Sequence, residues 1–419
     1  MSATKTGENV NMKKIVLSTL VALSIATVAS ASDVKLYQDA NGQVFTSAAD
    51  GRTEISTPST GVSVNSMTKN LDFSMLAYLG FDNTDFRTKD VSAVKQTASN
   101  SGKFNSDQSQ FELRRMYFQV KAHVFEDPKS YFRITYDIND AGGYYDANVK
   151  YAYLFLADIL PFTDVEIGQA HTTLLDYEES HSWLYRSFDN VFTEQKNAGQ
   201  QNASGDRGID LKTNTKYFSS EIGVYNGEGY HADQPVAAGN NGATMGMDYE
   251  ARLTAHLLGT GTDYNLKHTY FDLSLLGKES KAQSAGNDLE YVGVHSVFNM
   301  ENFLIAGQYI QANDTNGAAN AVSTGSGNGY SINTEGRMGD KDQYHVFARY
   351  DKWTPAVVSG ATKYDKRTYI LGGAYDMSKN IQLQANVITI DNQNDKKALT
   401  SNMNYINGNE YMLTAQVQF

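Results

Sequence analysis

Cysteine is absent from the 419-residue chain, so neither a disulfide nor a thiolate metal site is available to it. Proline is scarce, at five residues (Pro58, Pro128, Pro161, Pro235 and Pro355), and tryptophan scarcer, at two. Nothing after Ala31 approaches the roughly 18 consecutive apolar residues of a membrane-spanning helix. With 41% hydrophobic residues and a mean hydropathy of -0.46, the composition excludes a helical membrane protein. Basic side chains are outnumbered, 35 against 47, and a net charge of -12 argues against nucleic acid as the partner. Chemical signatures are missing as well. The eight histidines (His123, His171, His181, His231, His256, His268, His295 and His345) include no HExxH pair, and no GxSxG turn occurs. Asp391-Asn392-Gln393-Asn394-Asp395 is acidic but lacks the spacing of a calcium loop. The sequence therefore assigns no catalytic residue, no metal ligand and no cofactor.

What the chain has is tyrosine (27), phenylalanine (19) and alternation. In Gln110–Asp140, Met116, Phe118, Val120, Ala122 and Val124 fall on one side of an extended strand, and Arg115, Tyr117, Gln119, Lys121 and His123 on the other. After Glu126-Asp127-Pro128-Lys129 the pattern resumes. Phe132, Ile134, Tyr136 and Ile138 oppose Tyr131, Arg133, Thr135 and Asp137. A period of two puts successive side chains on opposite faces of a sheet. In a soluble sandwich the apolar face would meet a core. In a membrane barrel it meets lipid, and the polar face lines a wet interior.

Met12-Lys13-Lys14, the apolar run Ile15–Ala26 and Val28-Ala29-Ser30-Ala31 read as a signal peptide cut after Ala31, with Met1–Asn11 as an upstream extension. Residues 32–69 read as a short periplasmic hairpin, with a tight turn at Asn41-Gly42, followed by a Ser/Thr/Gly-rich linker. Residues 70–419 form the third division. Strands are expected over 71–81, within 110–140, and near 147–157, 163–170, 206–218, 219–226, 245–257, 265–276, 288–299, 301–312, 342–353, 366–377, 380–391 and 410–419. All five prolines would then lie between strands, as the missing ladder donor requires. Long polar intervals (83–109, 226–244, 313–340, 392–408) alternate with short turns, the asymmetry of a transmembrane barrel. The chain ends on an alternating strand, Tyr411 to Phe419, whose terminal aromatic looks like the signal read by the outer-membrane barrel-insertion machinery. The expected fold is all-β, a transmembrane antiparallel barrel of about 16 strands.

From Phe111 to Tyr230 the chain resembles the phosphate-selective porin O/P family of Gram-negative bacteria. The residues that carry this are Arg114-Arg115-x-Tyr117-x-x-Val120-Lys121-Ala122, Phe125-Glu126-Asp127 and Tyr131-Phe132-Arg133-Ile134-Thr135-Tyr136-Asp137. Val149–Tyr153, Val165–Gln169, Arg207–Leu211 and Val224–Gly229 follow. The resemblance implies a trimeric outer-membrane porin of 16 strands, with an inward-folded loop at the constriction and basic side chains guiding phosphate or other small anions. The matching loop, His171 to about Gln200, holds Asp176, Glu178, Glu179, Asp189 and Glu194 against Arg186 and Lys196, which departs from a basic eyelet. A general or weakly cation-preferring pore is the alternative.

The pore-lining candidates are the polar-face cations Arg115, Lys121, Arg133, Lys150, Arg252 and Arg349, together with Lys212. Each either attracts anions in a low-dielectric passage or is neutralised by a wall carboxylate such as Asp137, Asp210, Asp248 or Glu250. The constriction candidates are Asp176, Glu178, Glu179 and Arg186. Two other classes stay open: a non-conducting structural barrel, and an outer-membrane hydrolase with a Ser/His set in its wall. The expected partners are outer-membrane lipid and small hydrophilic solutes.

Overall fold

A computed structural model describes residues 37–39, 44–45, 49–54, 70–88, 107–140, 144–195, 198, 202–227, 229–230, 247–260, 266–280, 289–314, 322–357, 364–391, 393–394 and 406–419. The signal sequence, most of the linker, Lys196, Pro58 and Pro235 lie outside them. The chain divides into two compact units, Met1–Lys69 and Asn70–Phe419. In the first, Tyr37–Asp39 pairs antiparallel with Val44–Phe45, as the Asn41-Gly42 signal implies, and also with Arg52–Glu54.

The second unit is a closed antiparallel barrel of sixteen strands. They are β1 (Leu71–Thr88), β2 (Asp107–Ala122), β3 (Tyr131–Asp140), β4 (Tyr145–Leu160), β5 (Thr163–His171), β6 (Gly205–Asn214), β7 (Phe218–Tyr225) and β8 (Asp248–Leu258). The second half comprises β9 (Tyr270–Ser280), β10 (Leu289–Met300), β11 (Phe303–Asp314), β12 (Val322–Met338), β13 (Tyr344–Val357), β14 (Tyr364–Ser378), β15 (Ile381–Ile390) and β16 (Ile406–Gln418). Each pairs with its sequence neighbours, and β16 pairs with β1, so no edge is left open. Among the described residues, no helix is long and apolar enough to cross a membrane.

Alternation sets the two faces. On β8, Tyr249, Leu253 and Leu257 are each about half exposed on the outside, while Asp248, Glu250, Arg252, Thr254 and His256 are buried toward the interior. Apolar residues outside and charges inside invert the arrangement of a soluble sandwich and suit a lipid surround. Aromatic contacts cross the outer face, Tyr330–Tyr350–Tyr369 toward one end and Tyr344–Tyr375 toward the other.

Three expectations need correction. Residues 313–340 are not one long loop, because β12 occupies Val322–Met338. Pro355 lies within β13, not between strands. It faces Gly327 beside a break in the β12–β13 register, where a missing ladder donor is tolerated. The interval 83–109 is shorter than expected, since β1 runs to Thr88 and β2 begins at Asp107.

Candidate functional site: the lumen and its inward-folded loop

Between β5 and β6 the chain turns into the barrel. The turn begins at Leu174, a buried residue with φ of 83°, and leads to a seven-residue helix, α1 (Leu175–His181). The loop then lays its aromatic residues on the interior wall. Trp183, Tyr185, Phe188 and Val191 pack on Phe347, Ile370, Ile388 and Met412, while Tyr177 and Phe192 pack on Leu276, Tyr291, Ile310 and Trp353. Those wall residues project inward from β9 to β16, so the loop has an apolar bed on one side of the lumen. Polar ties supplement it. Tyr177 donates to Asp272 (2.7 Å), Tyr185 to Glu335 (2.9 Å), Ser187 to Gln384 (2.7 Å) and Asn202 to Tyr291 (3.0 Å).

The acids of this loop do not form an open acidic ring. Asp176 pairs with Lys212 at 2.8 Å. Arg186 binds Glu179 and holds Glu194 through two bonds of 2.7 and 3.1 Å. Glu178 accepts from Gln308 at 3.3 Å, and burial pushes its carboxyl up to about 7. Burial likewise lifts Asp189 to about 6.

The six candidate wall cations separate into two groups. Arg252 binds Glu221 (3.2 Å) and lies over the Tyr177 ring at 4.2 Å. Arg349 binds Asp351 (2.8 Å), donates to the Asn190 carbonyl (2.7 Å) and lies over Trp183 at 4.7 Å. Both therefore hold the loop. Arg115 pairs with the fully buried Asp137 at 3.3 Å. Lys121, Arg133 and Lys150 are different: among the described residues, no carboxylate stands within ion-pair distance of them. Each rests on tyrosine instead. Lys121 is 4.5 Å from the Tyr131 ring centre, Lys150 is 4.7 Å from Tyr117, and Arg133 is 4.7 Å from Tyr151 and donates to the Tyr153 hydroxyl at 3.1 Å. Lys121 and Arg133 are directly opposed across β2 and β3. Like charges so placed repel; the rings and solvent relieve them, together with Asp72, which faces Lys121 across β1 and β2 beyond ion-pair distance.

Two β-bulges aim this wall. The β1–β2 register passes from Tyr78↔Arg115 to Leu79↔Leu113, leaving Arg114 extra. The β3–β4 register passes from Thr135↔Tyr151 to Tyr136↔Val149, leaving Lys150 extra. A bulge puts two consecutive side chains on one face. So Arg114 joins Arg115 inside, binding Glu112 (3.2 Å) and Glu410 (3.6 Å), and Lys150 joins Tyr151.

Alternation alone missed Arg114. It also missed Lys278, bound to Asp248 (2.6 Å) and Glu250 (3.1 Å), and Arg337, which belongs to the unexpected strand β12. Tyr230 gave no signal in the sequence; it reaches in from beyond β7 to donate to Asp137 at 2.9 Å. Among the described residues, no cluster of three or more His, Asp or Glu is arranged to hold a metal.

Beside the loop, on the side of β1 to β4, a cavity of about 570 Å³ remains. Its lining includes Tyr78, Tyr117, Arg133, Lys150, Tyr151 and Lys379, and across from them Glu179, Trp183, Leu184 and Arg186.

A closed sixteen-stranded barrel with an apolar exterior, a charged interior and a loop folded inward defines an outer-membrane β-barrel architecture. Comparison with solved structures agrees. OprB of Pseudomonas putida aligns over 85% of this chain and 96% of its own, with a TM-score of 0.56 at 9% identity. An anion-selective porin from Comamonas acidovorans aligns over 83% and 99%, with a TM-score of 0.54 at 12% identity. A loop-deletion mutant of OmpT, an outer membrane protein of Vibrio cholerae, aligns over 84% and 100%, with a TM-score of 0.52 at 13% identity. At these identities the likeness is one of fold. No family model and no curated protein matches the chain.

Proposed function

We propose that this chain is an outer-membrane porin through which small hydrophilic solutes diffuse passively, with small anions, phosphate among them, preferred. The observation that carries the reading is the strip Lys121, Arg133 and Lys150, lacking carboxylate partners among the described residues. The loop acids Asp176, Glu179 and Glu194 are meanwhile bound by Lys212 and Arg186. A cation strip whose nearest acids stand beyond ion-pair distance raises the local anion concentration on a low-dielectric wall and repels cations. Transit needs no covalent step, catalytic residue or cofactor. On this reading the chain is exported by its N-terminal signal sequence and surrounded by outer-membrane lipid. It is inserted through recognition of the strand ending in Phe419 and assembled as a homotrimer. The Comamonas protein that shares the fold is an anion-selective porin, a role of the same kind.

The test is the zero-current potential of the purified protein in a planar bilayer under a KCl gradient. Anion selectivity is expected. Lys121→Gln, Arg133→Gln and Lys150→Gln should each reduce it, and the triple variant should reduce it most. Cation selectivity would refute the anion preference, and a silent membrane would refute the channel.

A further inference from the structure

The cavity beside the loop combines cationic and apolar lining. One wall carries Arg133 and Lys150 with the Tyr117 ring between charge and backbone. Apolar surface comes from Trp183 and Leu184 of the loop, beside the Glu179–Arg186 ion pair, and from Leu76, which neighbours Tyr117 on the cation wall. A bare oxoanion would meet the cations but would have to shed water against Leu76, Trp183 and Leu184 with nothing in return. A carboxylate on an apolar, flat body would satisfy both kinds of lining, the anionic oxygens toward Arg133 and Lys150 and the body against Leu76 and Leu184. A volume of about 570 Å³ accommodates a single-ring solute.

We infer that, among the small anions this channel admits, the ones held best in this slot during transit are amphipathic organic monocarboxylates of the size and shape of a benzoate ion. The inference rests on the anion-preferring channel reading given above, and names the solute class the slot selects.

The test measures inhibition of chloride conductance in planar bilayers by potassium benzoate, acetate and phosphate at fixed pH and ionic strength. Covering the apolar lining should lower the half-inhibiting concentration of benzoate roughly tenfold below that of acetate. Leu184→Asn should bring benzoate toward acetate, with the chloride-over-potassium preference unchanged. Leu76→Asn, on the barrel wall, should do the same and guards against a loop that merely misfolds. Equal half-inhibiting concentrations in an anion-selective channel would overturn the slot and leave the porin reading standing. So would a benzoate preference that both asparagine variants retain. Loss of anion selectivity in the unsubstituted protein would instead remove the reading on which the slot depends.

Discussion

Among the interior arginines, identical side chains do different work because of what lies within 4 Å. Arg349 is buried against Asp351 and ties down the loop carbonyl of Asn190. Replacing it with Gln leaves Asp351 buried without its ion partner, a change that typically costs roughly 3–5 kcal/mol. Arg349→Gln should therefore lower the thermal unfolding midpoint followed by circular dichroism in detergent. Arg133→Gln breaks no ion pair and should leave that midpoint nearly unchanged while reducing anion selectivity. An equal loss of stability in both variants would contradict the separation into ion-paired anchoring cations and cations without a carboxylate contact. Alternation along the strands already announced Arg115, Lys121, Arg133, Arg252 and Arg349 as facing inward, though not Arg114, Lys278 or Arg337. Their pairing was not legible, because Glu221 lies 31 residues from Arg252 and meets it only through β7–β8 registry.

At the scale of elements, the loop that narrows the lumen is held by apolar contact and carries titratable groups of its own. Phe192 is fully buried in the loop's bed, so Phe192→Ala should cost roughly 3–5 kcal/mol of loop packing. The expected result is a larger and noisier single-channel conductance, since a detached loop no longer blocks the β9–β16 side. Glu178 and Asp189, lifted by burial to about 7 and about 6, are largely neutral at pH 5 and largely ionised at pH 8. Raising pH thus adds negative charge to the loop, and anion preference should fall between these limits. Glu178→Gln should flatten the upper part of that titration, and a pH-independent zero-current potential would exclude these groups from the selectivity field. The inward loop was recognisable from its likeness to a porin family, and its aromatic residues hinted at a buried surface. Strand β12 was not recognisable. Its inward side carries Ser331, Asn333, Glu335 and Arg337, and Asn328, Gly329 and Gly336 leave Tyr330 and Ile332 as nearly its sole outward apolar signal. It is a strand because β11 and β13 on either side need a partner, which is information held by its neighbours.

For the molecule as a whole, closure runs along the β16–β1 ladder from Ile406↔Thr88 to Gln418↔Leu76, and Phe419 extends it by one step. Phe419 exchanges two backbone hydrogen bonds of 3.1 Å with Met75, joining the final strand to the first. Deleting Phe419 removes both, along with the aromatic expected to be read during insertion. The yield of folded barrel in the outer membrane should drop sharply, and Phe419→Tyr should restore most of it. Full assembly of the deletion variant would argue against either role. The barrel itself could be foreseen from composition and alternation, because a sheet with one greasy face, no apolar run long enough for a helix and a strand at the very terminus has few other solutions.

The two bulges have a consequence for how this wall tolerates change. Arg114 and Lys150 each act as a parity shift in the strand, so that Phe111 on one side of the first bulge and Phe118 on the other both reach the outer surface. Substituting either residue removes one charge. Deleting Arg114 would close the ladder into regular pairing, with Phe111, Leu113, Met116 and Phe118 still outward and Glu112 and Arg115 still inward, so that only the bulge and its charge are lost. A single codon loss there is therefore a local change, while the loss of a codon from a regularly paired stretch of the same strand would put neighbouring residues on the wrong face.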